Sequence, residues 1–249
     1  MSQERITEAE YGRLKGLGFL ANRGSDTFSA RVVTGNGCVS PEGMRCLAQA
    51  AERFGSGSVV LTTRLSAELP GIPYEKIDDC IAFLAEGGFE TGGTGKKVRP
   101  IVCCKGTVCQ HGLLDSFGIA AEMHQRFYQG YHDVTLPHKF KIAVGGCPNN
   151  CVKPSLNDVG VMGWRGGYRI TIGGRWGKKQ AVGQPLEPVF QTKEEMMDVV
   201  EKAILLFKEQ GHDGERFCQM IERIGFDAVS AALCGDELLR RKDEILSRR

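Results

Sequence analysis

The sequence predicts an α+β fold, in which short strands and helices alternate along the chain and helices follow at its end. Apolar runs such as FSARVV and KFKIAV have the length and alternation of strands. Ser40-Pro41, and Thr192 with Glu195 three residues later, are typical helix starts. The chain has 249 residues, of which 41% are hydrophobic, so it can bury one large core or two modest ones.

The first half of the chain predicts the element order β-α-β-β-α-β, after a short helix that a capping box of Thr7 and Glu10 begins. The predicted strands are FSARVV (28–33), SVVLTTR (58–64), LSAELPGI (65–72) and VRPIVCC (98–104). The predicted helices run from Pro41 to Phe54 and from Pro73 to about Glu86. This order is typical of the ferredoxin-like arrangement, so we expect a ferredoxin-like half-domain over residues 1–97.

The second half, residues 98–249, is expected to form another α+β domain. It predicts a helix from Gln110 to Tyr128 and a strand at KFKIAV (139–144). DVGVMGW and YRITIGG predict a hairpin that turns at 165–167. A helical C-terminal segment should begin at the capping box of Thr192 and Glu195.

Charge and hydropathy exclude several classes of partner. The formal net charge is only +2, which argues against a nucleic-acid partner. The N-terminal MSQERITEAE lacks the apolar core of a secretory signal, and no window approaches the length of a membrane span. We therefore expect a cytoplasmic protein that binds neither nucleic acid nor membrane.

Five of the ten cysteines fall in two clusters, CCKGTVC (103–109) and CPNNC (147–151). Four thiolates in two turns can hold zinc or an iron–sulfur cluster, and the wide, unequal spacing favours iron–sulfur. Zinc, redox-active thiols and buried thiols remain alternatives. Counted from Cys103, the first spacing is C-x5-C; counted from Cys104, it is C-x4-C. We prefer Cys103 as the first ligand.

Both cysteine clusters resemble motifs of the sirohaem-dependent sulfite and nitrite reductases. GGCPNNCVKPSLNDVGVMG is similar to the family's second cysteine motif, and IVCCKGTVC to its first. VVLTTRLSAELPGI resembles a strand of its N-terminal half-domain, and LPHKFKIAV the strand that carries its lysine pair. The likeness covers most of the chain. Larger family members carry two such units, so this chain resembles a small, single-repeat sulfite reductase.

The resemblance implies a cofactor pair and a set of site residues. The ligands of a [4Fe–4S] cluster would be Cys103, Cys109, Cys147 and Cys151, with the Cys151 sulfur shared with sirohaem iron. The anionic substrate would be held by Arg31, Arg64, Lys139 and Lys141, of which the two lysines would deliver protons. Sirohaem is rich in carboxylates, and the candidates for its rim are Arg99, Lys105, Asn149 and Lys153.

The implied function is the six-electron reduction of sulfite to sulfide. Nitrite reduction by the same kind of site is one alternative, and a [4Fe–4S] electron-transfer protein without haem is another. No flavin or nicotinamide motif is visible, so we expect a separate, ferredoxin-like electron donor. In two-repeat members the lysine pair and the working cluster come from opposite repeats, which raises the hypothesis of a homodimer that exchanges these groups.

Overall fold

The computed structural model describes residues 6–248, which divide into two compact units after Gly95. Each unit has its own hydrophobic core. Nowhere in the described range is a helix both long enough and apolar enough to cross a membrane.

The first unit is an antiparallel sheet with helices packed against it. Its elements are α1 (Glu8–Gly16), β1 (Phe19–Ala21), β2 (Thr27–Val33), α2 (Pro41–Phe54), β3 (Val60–Leu61), β4 (Ala67–Pro73), α3 (Ile77–Glu86) and β5 (Glu90–Thr91). The strand order is β5-β2-β4-β3. The strands β1 and β5 share one edge of β2: β1 pairs with its residues 28–30 and β5 with its residues 32–33. Alternate β2 residues, Phe28, Ala30 and Val32, are buried in the core. The predicted β-α-β-β-α-β order is therefore present as β2-α2-β3-β4-α3-β5.

Two predicted strands of the first half differ from the structure. The strand at 58–64 shortens to β3, because the Thr62 hydroxyl accepts hydrogen bonds from the backbone N–H groups of Arg64 (3.3 Å) and Ser66 (3.2 Å) and closes a turn. The strand at 98–104 does not close the first sheet; β5 takes that place. Pro100 has no N–H to donate to a ladder, and only Val102–Cys103 (β6) of this stretch is regular strand, in the second unit.

The second unit is a mixed sheet covered by helices. Its further elements are α4 (Ser116–Met123), β7 (Ile142–Gly145), β8 (Val159–Trp164), β9 (Gly167–Ile172), β10 (Gln184–Pro185), α5 (Lys193–Gln210), α6 (Phe217–Ile224), α7 (Phe226–Cys234), α8 (Glu237–Arg240) and α9 (Lys242–Ser247). The strand order is β10-β9-β8-β7-β6. The β6–β7 and β7–β8 pairs are parallel, and the predicted β8–β9 hairpin is antiparallel.

Two helices of the second unit, α4 and α5, begin at residues whose side chains cap them. At α5, the Thr192 hydroxyl accepts from the Glu195 N–H (3.2 Å), and the Glu195 carboxylate accepts from the Thr192 N–H (3.0 Å), as the capping box predicts. The helix predicted from Gln110 begins only at Ser116, because the Asp115 carboxylate caps it by accepting from the Gly118 N–H (3.0 Å). It continues as a π-helix over His124–Gln129.

An aromatic cluster anchors the chain just before β7 to the C-terminal helices. Phe140 is fully buried, and its ring centroid lies 5.7 Å from that of Phe207 and 5.2 Å from that of Phe217. Backbone bonds from Phe140 N–H to Lys97 O (3.0 Å) and from Arg99 N–H to Phe140 O (2.8 Å) add to this anchor. The residues on either side of Phe140 are thereby held in place.

Candidate functional site

The two cysteine loops leave the sheet side by side. The first follows β6 and the second follows β7, and these strands are parallel, with Cys103 opposite Val144. The carboxyl ends of parallel strands lie at the same edge of a sheet, where open α/β sheets bind their ligands. The topology therefore brings both predicted cysteine motifs to one edge.

The loops touch each other at a pair of glycines. A Cβ added to Gly106 would lie 2.6 Å from the Cα of Gly146, and a Cβ added to Gly146 would lie 2.6 Å from the Cα of Gly106. The backbone N–H of Gly146 also donates to the Sγ of Cys104 at 3.1 Å. Hydrogen bonds of this kind tune the reduction potential when the sulfur ligates an iron–sulfur cluster.

Cys103 and Cys104 have different surroundings. Cys103 is 3% exposed and belongs to the hydrophobic core of the second unit. Cys104 is half-buried, and its thiol faces Gly146, next to Cys147. Adjacent residues at a strand end point to opposite faces, which explains the contrast. The structure thus sets the Cys104 thiol, rather than the preferred Cys103 thiol, against the second cysteine loop.

The remaining cysteines of the motifs lie nearer to solvent. Cys109 and Cys147 are half-buried, and Cys151 is exposed. Within residues 6–248, no three His, Cys, Asp or Glu side chains are arranged so that they could hold a metal ion. The residues therefore suit an iron–sulfur cluster by the chemistry of their donors. Thiols are soft ligands, and they lie on two adjoining loops that a contact between two glycines keeps close.

The predicted lysines lie on either side of the buried Phe140. Both Lys139 and Lys141 are half-buried. Burial lowers the pKa of Lys139, and the positive charges of Arg216, Arg99 and Arg175 lower it further, while Asp158 opposes them. A lysine with a lowered pKa releases a proton more readily near neutral pH.

Several ionisable residues beside the lysines are absent from the predicted set. His138 is one; its pKa is lowered to about 4 by burial first and then by neighbouring cations, so its imidazole is neutral at pH 7. Asp158, Arg175 and Arg216 are the others. Asp158 lies in the NDVG stretch of the second motif. A charged residue directly before an apolar strand is the sequence feature that could have identified it. No local pattern marks Arg175 or Arg216.

The predicted rim residues all belong to the second unit. Arg99 is half-buried, whereas Lys105, Asn149 and Lys153 are exposed. Lys153 adopts a left-handed backbone conformation (φ 52°), and its ammonium lies 5.5 Å from the ring centroid of Trp176. The structure thus places two of these residues, Asn149 and Lys153, on the turn that carries Cys151.

The predicted arginines both belong to the first unit. Arg31 pairs across the β2–β4 ladder with Glu68, with Nε and Nη2 at 2.9 and 2.6 Å from the same carboxylate oxygen. Its Nη1 lies 3.4 Å from the carbonyl oxygen of Gly93. Arg64 is half-buried in the turn that Thr62 closes. The charge of Arg31 is thus largely compensated within its own sheet.

Comparison with known families gives two matches that follow the two units. The description "Nitrite/Sulfite reductase ferredoxin-like half domain" matches residues 21–87. The description "Nitrite and sulphite reductase 4Fe-4S domain" matches residues 94–242, which is more than half of the chain.

Curated relatives include both sulfite and nitrite reductases. A coenzyme F420-dependent sulfite reductase of Methanocaldococcus jannaschii is 34% identical over 157 residues, 62% of this chain and 24% of that protein. An assimilatory-type sulfite reductase of Nitratidesulfovibrio vulgaris is 31% identical over 139 residues, 55% of this chain and 62% of that protein. The large subunit of a nitrite reductase [NAD(P)H] of Klebsiella oxytoca is 34% identical over 164 residues, 65% of this chain and 17% of that protein. Each match spans less than two thirds of the relative's own length.

Solved structures share the fold at low identity. The NirA protein of Mycobacterium tuberculosis superposes with a TM-score of 0.81 at 19% identity, over 94% of this chain and 48% of that one. Dissimilatory sulfite reductase I superposes with a TM-score of 0.75 at 16% identity, over 83% of this chain and 69% of that one. At these identities the likeness shows the fold alone.

These findings confirm the predicted fold class: a ferredoxin-like half-domain, then a second α+β domain of the 4Fe-4S type, with helices at the C-terminus. The 4Fe-4S domain supports an iron–sulfur cluster as cofactor. The chain therefore belongs to the nitrite and sulfite reductase family of oxidoreductases.

Proposed function

We propose that the chain reduces sulfite to sulfide with a [4Fe–4S] cluster and a sirohaem. The observation that carries the proposal is the cationic segment around Lys139 and Lys141, which lies in the same unit as the two cysteine loops. Half-buried cations bind a small oxyanion through charge-assisted hydrogen bonds. Two of the relatives described above are sulfite reductases by name, which supports sulfite as the substrate.

The proposed cluster ligands are Cys104, Cys109, Cys147 and Cys151. Cys104 replaces Cys103 because its thiol already accepts a hydrogen bond from the second loop, whereas the Cys103 thiol contributes to the core. Cys151, the last and most exposed of the four, would also be the residue that holds the sirohaem. When bound, the two groups supply the stored electrons and the iron centre at which the substrate is reduced.

The chain's own residues bind the anion, neutralise its charge and supply protons. Each oxygen that leaves sulfite must be protonated, and Lys139, whose pKa is lowered, is the proposed donor. Lys141 is proposed to share the anion with Lys139. Arginine holds its proton too tightly to donate it, so Arg31 and Arg64 are proposed to position the substrate.

The acidic rim of sirohaem requires cations and amide donors. For this role we propose Arg99, Lys105, Asn149 and Lys153. We also propose that two copies of the chain form a homodimer and that a separate protein donates the electrons. We propose the boundary between the half-domain and the cofactor-binding domain after residue 97, two residues beyond the point where the chain passes from one compact unit to the other.

The test is turnover by anaerobically purified protein, with a reduced dye as donor and sulfite or nitrite as acceptor. We expect a higher kcat/KM with sulfite, and a loss of at least about 100-fold in Lys139→Met. Lys178→Met, which removes an exposed lysine of the same unit, is the matched control and should retain the rate.

Two alternatives predict other outcomes. A higher kcat/KM with nitrite would favour nitrite reduction, which the Klebsiella oxytoca relative supports. A cluster that is reduced and reoxidised reversibly, without turnover of either anion and without haem bands, would favour an electron-transfer protein.

A further inference from the structure

A buried ion pair lies directly against the lysine segment. Asp158 has no exposed surface, and Arg216 is 4% exposed. The Nη2 of Arg216 donates to both carboxylate oxygens of Asp158, each at 3.0 Å. One of these oxygens, Oδ2, also accepts the backbone N–H of Lys141 at 2.9 Å.

This pair is more than a packing element. A buried ion pair is often no more stabilising than hydrophobic residues of the same size, because both charges lose their hydration. In addition, the Nε of Arg216 is buried and makes no hydrogen bond to any residue between 6 and 248. The Arg216 guanidinium therefore makes only some of the hydrogen bonds that it could. Because water is excluded around it, its positive charge acts strongly on neighbouring ionisable groups.

The backbone of the lysine segment is fixed at Asp158. Besides the bond from the Lys141 N–H, the carbonyl oxygen of Lys141 accepts the N–H of Val159, the residue after Asp158, at 3.1 Å. The burial of Phe140 holds the middle of the segment. The backbone at Lys141 is therefore held by Asp158 and by the residue that follows it.

The pair also acts on the charge of Lys139. The groups that act on this lysine are the cations Arg216, Arg99 and Arg175 and the anion Asp158, and the adjacent His138 is neutral at pH 7. Burial is the largest cause of the lowered pKa of Lys139, and Arg216 is the largest of the charge effects. Asp158 acts in the opposite direction.

We propose that Asp158 and Arg216 are positioning residues for the anion-binding lysines: Asp158 fixes the backbone at Lys141, and Arg216 holds the Asp158 carboxylate and sets the electrostatic environment of Lys139. The assignment of these lysines to a substrate rests on the proposed function. The charge effect does not, because it can be measured without turnover.

The experiment is competitive acetylation of the anaerobically purified protein with trace acetic anhydride, between about pH 7 and about pH 11, read at Lys139 by mass spectrometry. Removing the cation in Arg216→Gln should raise the pKa of Lys139 by at least about half a unit. Removing the anion in Asp158→Asn, which keeps an acceptor for the Lys141 N–H, should lower it. Arg223→Gln removes a cation from the last turn of α6, the helix that Arg216 precedes, where it pairs with Glu215, and should leave the pKa of Lys139 unchanged.

The opposite directions separate the proposal from a merely structural role. If the pair only held the segment in place, either substitution would loosen it, expose Lys139 and raise its pKa. A rise in Asp158→Asn, or no shift in either variant, would overturn the proposal. If Arg216→Gln does not fold, the direction of the shift in Asp158→Asn decides alone. Because no substrate is present, an enzyme that proved inactive with sulfite would contradict the proposed function and leave this result interpretable.

Discussion

Replacing Gly146 with alanine should force the two cysteine loops apart. The new Cβ would lie 2.6 Å from the Cα of Gly106, whereas ordinary contacts begin at 3.4 Å, so the loops must separate by about 1 Å. No side-chain rotation can relieve this clash, because the atom it meets is backbone. Overpacking of this kind costs about 1–3 kcal/mol, which corresponds to a factor of about 5–150 in an equilibrium constant.

The same change displaces the Gly146 N–H from the Cys104 thiol, so cluster binding should suffer along with stability. The assay is iron and acid-labile sulfide per chain after anaerobic purification, together with the urea midpoint. Gly177→Ala is the matched control, because its Cβ would meet no heavy atom within 4 Å. We expect the Gly146 variant to lose most of its cluster and the Gly177 variant to keep it. Full iron content and an unchanged midpoint in Gly146→Ala would refute the reasoning.

Three further predictions concern other side chains of the second unit. Cys104→Ser should lose the iron–sulfur cluster, whereas Cys103→Ser should keep its iron and lose about 1–3 kcal/mol of stability by burying a hydroxyl; iron analysis of both variants checks this. Glu201→Gln should cost about 2–4 kcal/mol in urea denaturation, because Glu201 is 2% exposed and accepts hydrogen bonds from Tyr131 and Lys242, each at 2.6 Å. Burial acts to raise the pKa of Glu201, but these bonds hold it below its ordinary value. Its contribution to stability is therefore complete above about pH 4.3 and is lost as the pH falls through the lower folded pKa, so stability below about pH 4 should fall more steeply in the wild type than in the Gln variant.

Elements with strong end signals could be predicted from the sequence. Ser40-Pro41 and Gly55 mark both ends of α2, which runs from Pro41 to Phe54 as predicted. The capping box at Thr192 marks the start of α5. Such signals are local, since each depends on one residue: a capping side chain that bonds the backbone nearby, a proline whose φ suits the first turn, or a glycine that ends the helix.

The boundaries that differ depend on side chains that compete with regular structure. The Thr62 hydroxyl ends β3 after two residues, and the Asp115 carboxylate delays the start of α4. Both residues bond the backbone just beyond them, and an apolar pattern that runs through such a residue gives no sign of the interruption. The two-residue strand β5 is too short to have a periodicity.

The candidate site could be predicted only in part. The spacing of the cysteines identifies the two loops, but C-x5-C and C-x4-C are both acceptable to a cluster, so spacing does not choose between Cys103 and Cys104. That choice depends on which face of β6 the core covers. Likewise, Asp158 and Arg216 are far apart in sequence, and their pairing depends on how α6 packs.

The cofactor content of protein purified without air tests the central claim most directly. The proposed function predicts strong visible bands of sirohaem, with about five irons and about four labile sulfides for each fully loaded chain. A brown preparation with the cluster and no tetrapyrrole would contradict sirohaem-dependent reduction. A colourless, fully folded preparation without iron would contradict both cofactors.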